Sequence, residues 1–372
     1  MIHKAKAKKR KGFRQTPFRL PLWGVAVLIT GYISVFLFGL VGNCSVLLVI
    51  KRLHRMKTAT NYFISNLALA DLLVLVFCLL PNLVSNIYIA WILGWFLCKT
   101  LPYIQGVTVC ASVYSLVAIS IERYVTIRLP FRYQITKEKA KKIIIAIWTW
   151  SFIVALPWVP YFDTYNADSE HPEMLFCVEK WPDSRKTWSN YYFLFGNFIM
   201  YYLLPLGIIL ICYLTVGFHA YSCTVILSDC NTKMKEIAHQ KAKTAVTKTL
   251  LVIVFTFALS WLPLYIVTLR LKFGPETKSD LENDVISIIY PIAQWLGYLN
   301  SGVNPIVYSF INRKFRMGFY SICKCPGNQR QPLPTSQNRH PSDRRRINVI
   351  VLRETFVGNV NVREASMLYD SE

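Results

Sequence analysis

Apolar residues in this chain gather into long blocks separated by short polar stretches, rather than alternating with the period of two that marks a half-buried strand. Seven blocks, at about 22–50, 60–88, 96–125, 143–162, 190–220, 245–271 and 284–311, meet the roughly 20 mostly apolar residues that a helix needs to cross a bilayer core. Each block must be helical, because an isolated strand in lipid leaves its backbone polar groups unpaired. Pro81, Pro157, Pro205, Pro263 and Pro305 sit inside the blocks and predict kinks, since neighbouring helices, hydroxyls and water can satisfy the freed carbonyls. The pattern therefore predicts an all-α membrane protein, a seven-transmembrane helix bundle with its termini on opposite sides.

Residues 313–322 read as a short amphipathic helix lying along the membrane after the seventh span. The chain then divides into a tail over 1–21, a seven-transmembrane domain over 22–312, a membrane-parallel helix over 313–325 and a tail over 326–372. That last stretch is rich in Pro, Gln, Asn and Arg and predicts disorder. Cys323 and Cys325 are candidates for palmitoylation, with two free thiols as the alternative. The first apolar block is too long for the h-region of a signal peptide and reads as an uncleaved span.

Composition agrees with the membrane reading: the chain is 53% hydrophobic and 17% charged, where a soluble domain has about 25% charged residues. A net charge of +22 would by itself suit a nucleic acid. Most of the bases, however, flank the apolar blocks on one side, so no nucleic-acid partner is expected. That side carries Lys51, Arg52, Arg55 and Lys57, then Arg128, Arg132, Lys137, Lys139, Lys141 and Lys142. Lys233, Lys235, Lys241, Lys243 and Lys248 follow, then Arg313, Lys314 and Arg316. The connection over 163–186 has six acids against three bases. The basic side is read as cytoplasmic, which places the N-terminus outside. The tail opposes this, with eight bases and no glycosylation sequon, but the loops outnumber it. Cys98 and Cys177 lie just beyond apolar blocks on the same outer side, where they can bridge.

Ionisable groups deep in a bilayer are functional candidates by default. Asp71, with apolar neighbours on both sides, calls for a cation, a proton or polar partners. Asn43, Ser112, Asn300, Ser301 and Asn304 offer oxygens and amides from other spans, so the readings are a hydrated, sodium-type site or a protonated acid held by hydrogen bonds. Glu122-Arg123-Tyr124 closes the third span on its inner side, and Asn304-Pro305-Ile306-Val307-Tyr308 lies near the inner end of the seventh. Phe257 and Trp261 share a face of the sixth span just before Pro263.

This set of motifs, one per expected helix and in order, resembles the class A (rhodopsin-like) G-protein-coupled receptors over about residues 25–322. Glu122-Arg123-Tyr124 is similar to the family's D/E-R-Y motif and Ser260-Trp261-Leu262-Pro263 to its C-W-x-P motif, with Ser for Cys. Asn304–Tyr308 is similar to N-P-x-x-Y, and Asn43, Asp71, Trp148, Pro205 and Tyr213 fit its reference positions. The resemblance implies a plasma-membrane receptor, not an enzyme, in which an outside ligand shifts an equilibrium toward an active state. The sixth span would swing about Pro263, Arg123 would leave Glu122, and Tyr213 and Tyr308 would rearrange to admit a heterotrimeric G protein. It also implies arrestin and receptor kinases as partners of the C-terminal tail. Lys243 stands where many relatives carry an acid that pairs with Arg123, which implies raised basal activity.

Gln105 stands where amine receptors carry Asp, and Tyr298 where opsins carry the retinal Lys, so amines and retinal are disfavoured. Cys177-Val178-Glu179-Lys180-Trp181-Pro182 and Pro291–Gly297 are similar to the neuropeptide FF, orexin and related receptor branch, and Gly94–Thr100, Pro102–Gly106 and Lys272-Phe273-Gly274 are most similar to SIFamide receptors. A short amidated neuropeptide is the ligand implied, SIFamide-like first, another RFamide- or orexin-like peptide second. Lys272 replaces an acid typical of neuropeptide FF receptors and argues against a simple Arg-Phe-amide. Candidate ligand residues are Gln105, Glu179, Tyr265, Thr268, Lys272, Tyr290 and Gln294. The two glutamines can hydrogen-bond a terminal amide, and Glu179 can meet a ligand base or stay solvated. Tyr103, Trp181 and Trp295 join Tyr265 and Tyr290 as pocket walls or as interfacial anchors. The acidic balance of the outer loops would attract a basic peptide. No cofactor is expected apart from the sodium ion at Asp71. A transporter or channel is the reading from another class, weakened by the lone deep charge and the absence of repeats.

Overall fold

A computed structural model describes residues 17–129, 133–166, 174–182, 187–226, 233–275, 279–311 and 313–323. Eight helices, α1–α8, run along these residues with one hairpin, β1–β2. The first four are α1 (Leu22–Arg52), α2 (Ala59–Ile87), α3 (Gly94–Arg128) and α4 (Lys137–Tyr161). Helix α5 starts at Thr187 and ends at Ile226, followed by α6 (Lys233–Phe273), α7 (Asp280–Ile311) and α8 (Arg313–Cys323). Strands β1 (Phe162–Asn166) and β2 (Leu175–Glu179) pair antiparallel in the loop before α5.

Seven helices form a closed bundle in which α1 packs on α2 and α7, α6 on α5 and α7, and α3 on α2, α4 and α5. Helix α3 is the central one: 78% of its most apolar window is buried, against 22% in α4. The outward faces carry exposed Trp23, Phe38, Ile145, Leu210, Phe255 and Ile266. An apolar belt around the whole bundle would be untenable in water and is the natural surface toward lipid. In lipid the hydrophobic effect does not hold helices together, so close packing of small residues must contribute. Gly39 of α1 meets Gly302 of α7 so closely that a Cβ on Gly39 would stand 3.4 Å from the Gly302 Cα.

The prolines sit in their helices in different ways. Pro81 and Pro205 lack an N–H and crowd the preceding turn, and each follows a π-helical stretch, Val74–Leu79 in α2 and Tyr192–Leu203 in α5. Pro157 interrupts α4, which resumes as Trp158–Tyr161. Pro263 and Pro305 lie within continuous helices.

Several expectations are revised. Helices outlast the apolar blocks at many ends, because polar caps continue them beyond lipid: Thr58 and Thr136 each accept a hydrogen bond from a first-turn N–H at 3.3 Å. Among the described residues six helices are apolar enough by composition alone to count as spans, and α7 falls short. Its Gln294, Asn300, Ser301 and Asn304 face the bundle while Ile288, Ile292 and Ile306 face outward. The connection over 163–186 contains the hairpin, and residues 17–20 are more than a tail, as their pairing below shows.

Candidate functional site

A cavity of about 630 Å³ opens at the end of the bundle that carries the hairpin, well within the size range of small-molecule and cofactor sites. Gln105, Glu179, Tyr265, Thr268, Lys272, Tyr290 and Gln294 all line it. They come from α3, the hairpin, α6 and α7, so only the fold brings them together.

The rim is held by local devices. Gly94 starts α3 with φ +78, a left-handed conformation that favours glycine, and its carbonyl accepts from the Trp91 indole at 2.8 Å. The Trp91 amide donates to the Leu175 carbonyl at 2.7 Å, tying the α2–α3 loop to β2. The Cys98–Cys177 disulfide fastens the same strand to α3. Phe18 bridges Tyr88 in antiparallel fashion, with Arg19 N–H donating to Ile87 O at 2.9 Å and Ile89 N–H to Pro17 O at 3.0 Å. The chain before α1 thus forms a strap over the α2–α3 loop, and its Arg19 lines the cavity.

One wall is a polar cluster. Lys272 Nζ donates to Glu179 Oε2 at 2.7 Å and to Ser189 Oγ at 2.6 Å, and Ser189 and the Trp181 indole donate to the same carboxylate at 2.7 and 3.1 Å. Burial pushes the Glu179 carboxyl up, but Lys272 with these donors outweighs it and holds the group below the ordinary carboxylate range. Glu179 is therefore paired within the wall rather than free. Lys180 donates to Asp163 at 3.2 Å; that hydrogen bond, first among its causes, keeps Asp163 below its ordinary value too. The cavity lining counts Arg19, Lys180 and Lys272 against the single acid Glu179. The acidic balance of the outer loops does not carry over to the cavity wall.

The floor is a ladder of amides and phenols. Asn82 Nδ2 donates to Gln105 Oε1 at 2.9 Å and to the Tyr298 hydroxyl at 2.6 Å. Asn86 Nδ2 donates to Gln294 Oε1 at 2.8 Å and to the Tyr32 hydroxyl at 3.1 Å. Sequence reasoning missed Arg19, Asn82, Asn86 and Asn197; an asparagine four residues from another on one helix face was the available signal for two of them. Of the aromatic candidates, Trp181, Tyr265 and Tyr290 line the cavity, whereas Tyr103 and Trp295 do not. Tyr103 packs beside Trp158 and Ala155, and Trp295 turns its indole toward Gly31 of α1.

Beneath the floor, Trp261 joins Tyr265 above and Phe257 below, at ring separations of 6.4 and 6.5 Å. Tyr202 of α5 packs against both ends of this column, at 4.8 Å from Tyr265 and 6.0 Å from Phe257. Deeper still, fully buried Asp71 accepts from Ser112 Oγ at 3.3 Å and from Asn304 Nδ2 at 2.8 Å, and its carboxylate also meets Ser301. Asn43 ties α1 to the Ser301 carbonyl at 2.9 Å. The side-chain oxygens of Asn43, Asn300 and Asn304 are buried without partners, a donor set of oxygens that suits a small hard cation. Trp148 donates to Asn66, which donates to Ser115, so α2, α3 and α4 are pinned at one level.

At the far end Arg123 Nε stands 3.3 Å from Glu122 Oε2, and its Nη2 donates to Thr60 at 2.8 Å. The hydroxyls of Tyr213 and Tyr308 are buried without a partner, and Tyr308 stacks on Phe315 of α8 at 5.7 Å. Tyr124 follows Arg123 on α3 and is half-buried. The side chains of Lys243 and Cys323, with Cys325 and the stretch over 326–372, lie outside the described residues.

Residues 42–308 match the family described as 7 transmembrane receptor (rhodopsin family). The chain is 33% identical over 316 residues to neuropeptide FF receptor 2 of Mus musculus, across 80% of this chain and 73% of that protein. It is 34% identical over 304 residues to neuropeptide FF receptor 2 of Rattus norvegicus, across 79% and 72%. Against neuropeptide FF receptor 1 of Rattus norvegicus it is 33% identical over 308 residues, across 79% and 69%.

Proposed function

The chain belongs to the rhodopsin family of 7 transmembrane receptors, and from this we propose that it is a plasma-membrane receptor for a short amidated neuropeptide, SIFamide-like. As a member of that family it is a receptor and not an enzyme, which displaces the transporter reading. The observation that carries the peptide reading is the single cavity lined by all seven candidate residues, floored by amides and walled by Trp181, Tyr265 and Tyr290. Its volume suits the last few residues of a peptide, with the remainder resting on the hairpin and strap. Gln105 and Gln294 are the residues for a terminal carboxamide, which needs both a donor and an acceptor.

Ligand contact with Tyr265 bears on Trp261 and Phe257 through the aromatic column, and we assign α6 a hinge at Pro263. Movement there would release Arg123 from Glu122 and bring Tyr213 and Tyr308, whose hydroxyls lack partners, into new contacts as a heterotrimeric G protein docks. A sodium ion, when bound, would be held by Asp71, Ser112, Asn300, Ser301 and Asn304 and would neutralise the buried carboxylate. Sodium sensitivity of agonist affinity that survives D71N would remove that ion. Arrestin and receptor kinases are proposed partners of the C-terminal tail, and Cys323 and Cys325 proposed acylation sites.

Likeness to neuropeptide FF receptors favours a second reading, an Arg-Phe-amide type of ligand. A calcium and cAMP screen in transfected cells separates the two. Amidated peptides ending Ile-Phe-amide are expected to be the more potent, and their free acids at least tenfold weaker, as expected for loss of a matched hydrogen bond and gain of a charge. Q105A and Q294A are expected to right-shift the response at unchanged surface expression. Equal potency of acid and amide, with both variants silent, would overturn the assignment.

A further inference from the structure

Four charged side chains line the cavity, and three of them are already paired. Glu179 is held by Lys272, and Lys180 by Asp163. Arg19 alone has no acidic partner among the described residues. Its Nε donates to the Tyr88 carbonyl at 2.7 Å and its Nη2 to the Ile89 carbonyl at 3.4 Å. These bonds orient the guanidinium without neutralising it. The strap that carries it is fixed by backbone pairing on both sides of Phe18, so the charge is placed by the fold rather than waved on a loose tail. Arg19 is half-buried, and burial lowers the pKa of its guanidinium, with the Tyr290 phenol offsetting part of the effect. A guanidinium stays charged under these conditions. A partly desolvated charge that lines the cavity and that no acid among the described residues matches is suited to an anionic group of a ligand.

We propose that Arg19 is a specificity-determining ligand contact that receives a carboxylate of the peptide where the bound chain passes under the strap. The pairing is an ionic hydrogen bond, with Tyr290 beside it as a hydroxyl partner. This rests on the peptide reading above and deepens it: the inserted segment is acidic or neutral at that point, and a base there is disfavoured. The same lining explains why Glu179 does not reverse the preference, since Lys272 has already consumed its charge.

The test uses the full-length receptor in cells and amidated hexapeptides ending Ile-Phe-amide, with Asp, Asn or Lys at each of the three positions upstream. At one position the Asp peptide is expected to be about tenfold more potent than its Asn counterpart, and the Lys peptide weaker than both, as for a charge-assisted hydrogen bond. R19Q retains donors for the two carbonyls and removes the charge. It is expected to bring the Asp-to-Asn ratio to about one, with surface expression at the wild-type level reporting that the variant is folded. R19E is expected to invert the order in favour of Lys. An unchanged Asp preference in R19Q, or equal potency of all three peptides at every position on wild type, overturns the role of Arg19 and leaves the peptide reading standing. A wild-type receptor that answers none of the amidated peptides removes the peptide reading and this subsite together.

Discussion

A half-buried carboxylate keeps its charge only if its partners outweigh the loss of water, and Glu179 has three donors within 3.1 Å. With side chains 24% and 14% exposed, Glu179 and Lys272 lie between the surface pair and the deep one. E179Q is expected to cost on the order of 1–3 kcal/mol. The sign of its pH dependence follows from the depressed carboxyl: stabilisation is complete above the unfolded value of 4.5 and is lost only as pH falls through the lower, folded value. Thermal unfolding in detergent should therefore show a constant gap between wild type and E179Q from about pH 8 to about pH 5, closing only below about pH 4. A gap that already narrows near pH 6.5 would mean that a histidine, not this acid, governs the wall. The residue type was legible along the chain, but its partner was not. Lys272 lies 93 positions away, and nothing in the local pattern around Glu179 points to it.

At the scale of elements, the α1–α7 contact is the one most exposed to test. A Cβ on Gly42 would stand 2.8 Å from the rigid ring of Pro305, and one on Gly39 would press on Leu75 as well as on the Gly302 backbone. G39L is expected to destabilise the bundle by about 1–3 kcal/mol and to lower surface expression. G207A, with open space around the new methyl, is expected to do neither. Equal melting temperatures for the two variants would show that α1 is not packed as described. Helix α7 carries a second lesson. Its polar residues dilute its hydropathy below that of a spanning segment, yet they are buried against Asp71, Asn86 and the cavity. The apolar block over 284–311 was nonetheless legible along the chain, because the polar residues are confined to one face while Ile288, Ile292 and Ile306 keep the other apolar. The hairpin escaped sequence reading because five-residue strands with a half-buried pattern carry no distinctive period.

For the whole molecule, orientation rests on the side that holds the basic loops. An epitope at the N-terminus is expected to be reached by antibody on intact cells and one at the C-terminus only after permeabilisation; the reverse would overturn the placement of the cavity outside. The number of spans, the sidedness of the charges and the presence of Asp71, Arg123 and Tyr308 in separate helices were all determined by sequence alone, since lipid demands long apolar helices and tolerates polar groups only where they have partners. The disulfide partners were also legible, as the two cysteines bordering outer apolar blocks. Tertiary structure decided what each polar group faces. It turned Trp295 toward α1, paired Glu179 with Lys272, brought Asn82 and Asn86 under the glutamines and drew Arg19 into the wall. Such pairings depend on helix rotation and on a strap over the rim, and these are set by packing among helices far apart in the chain, which no local period records.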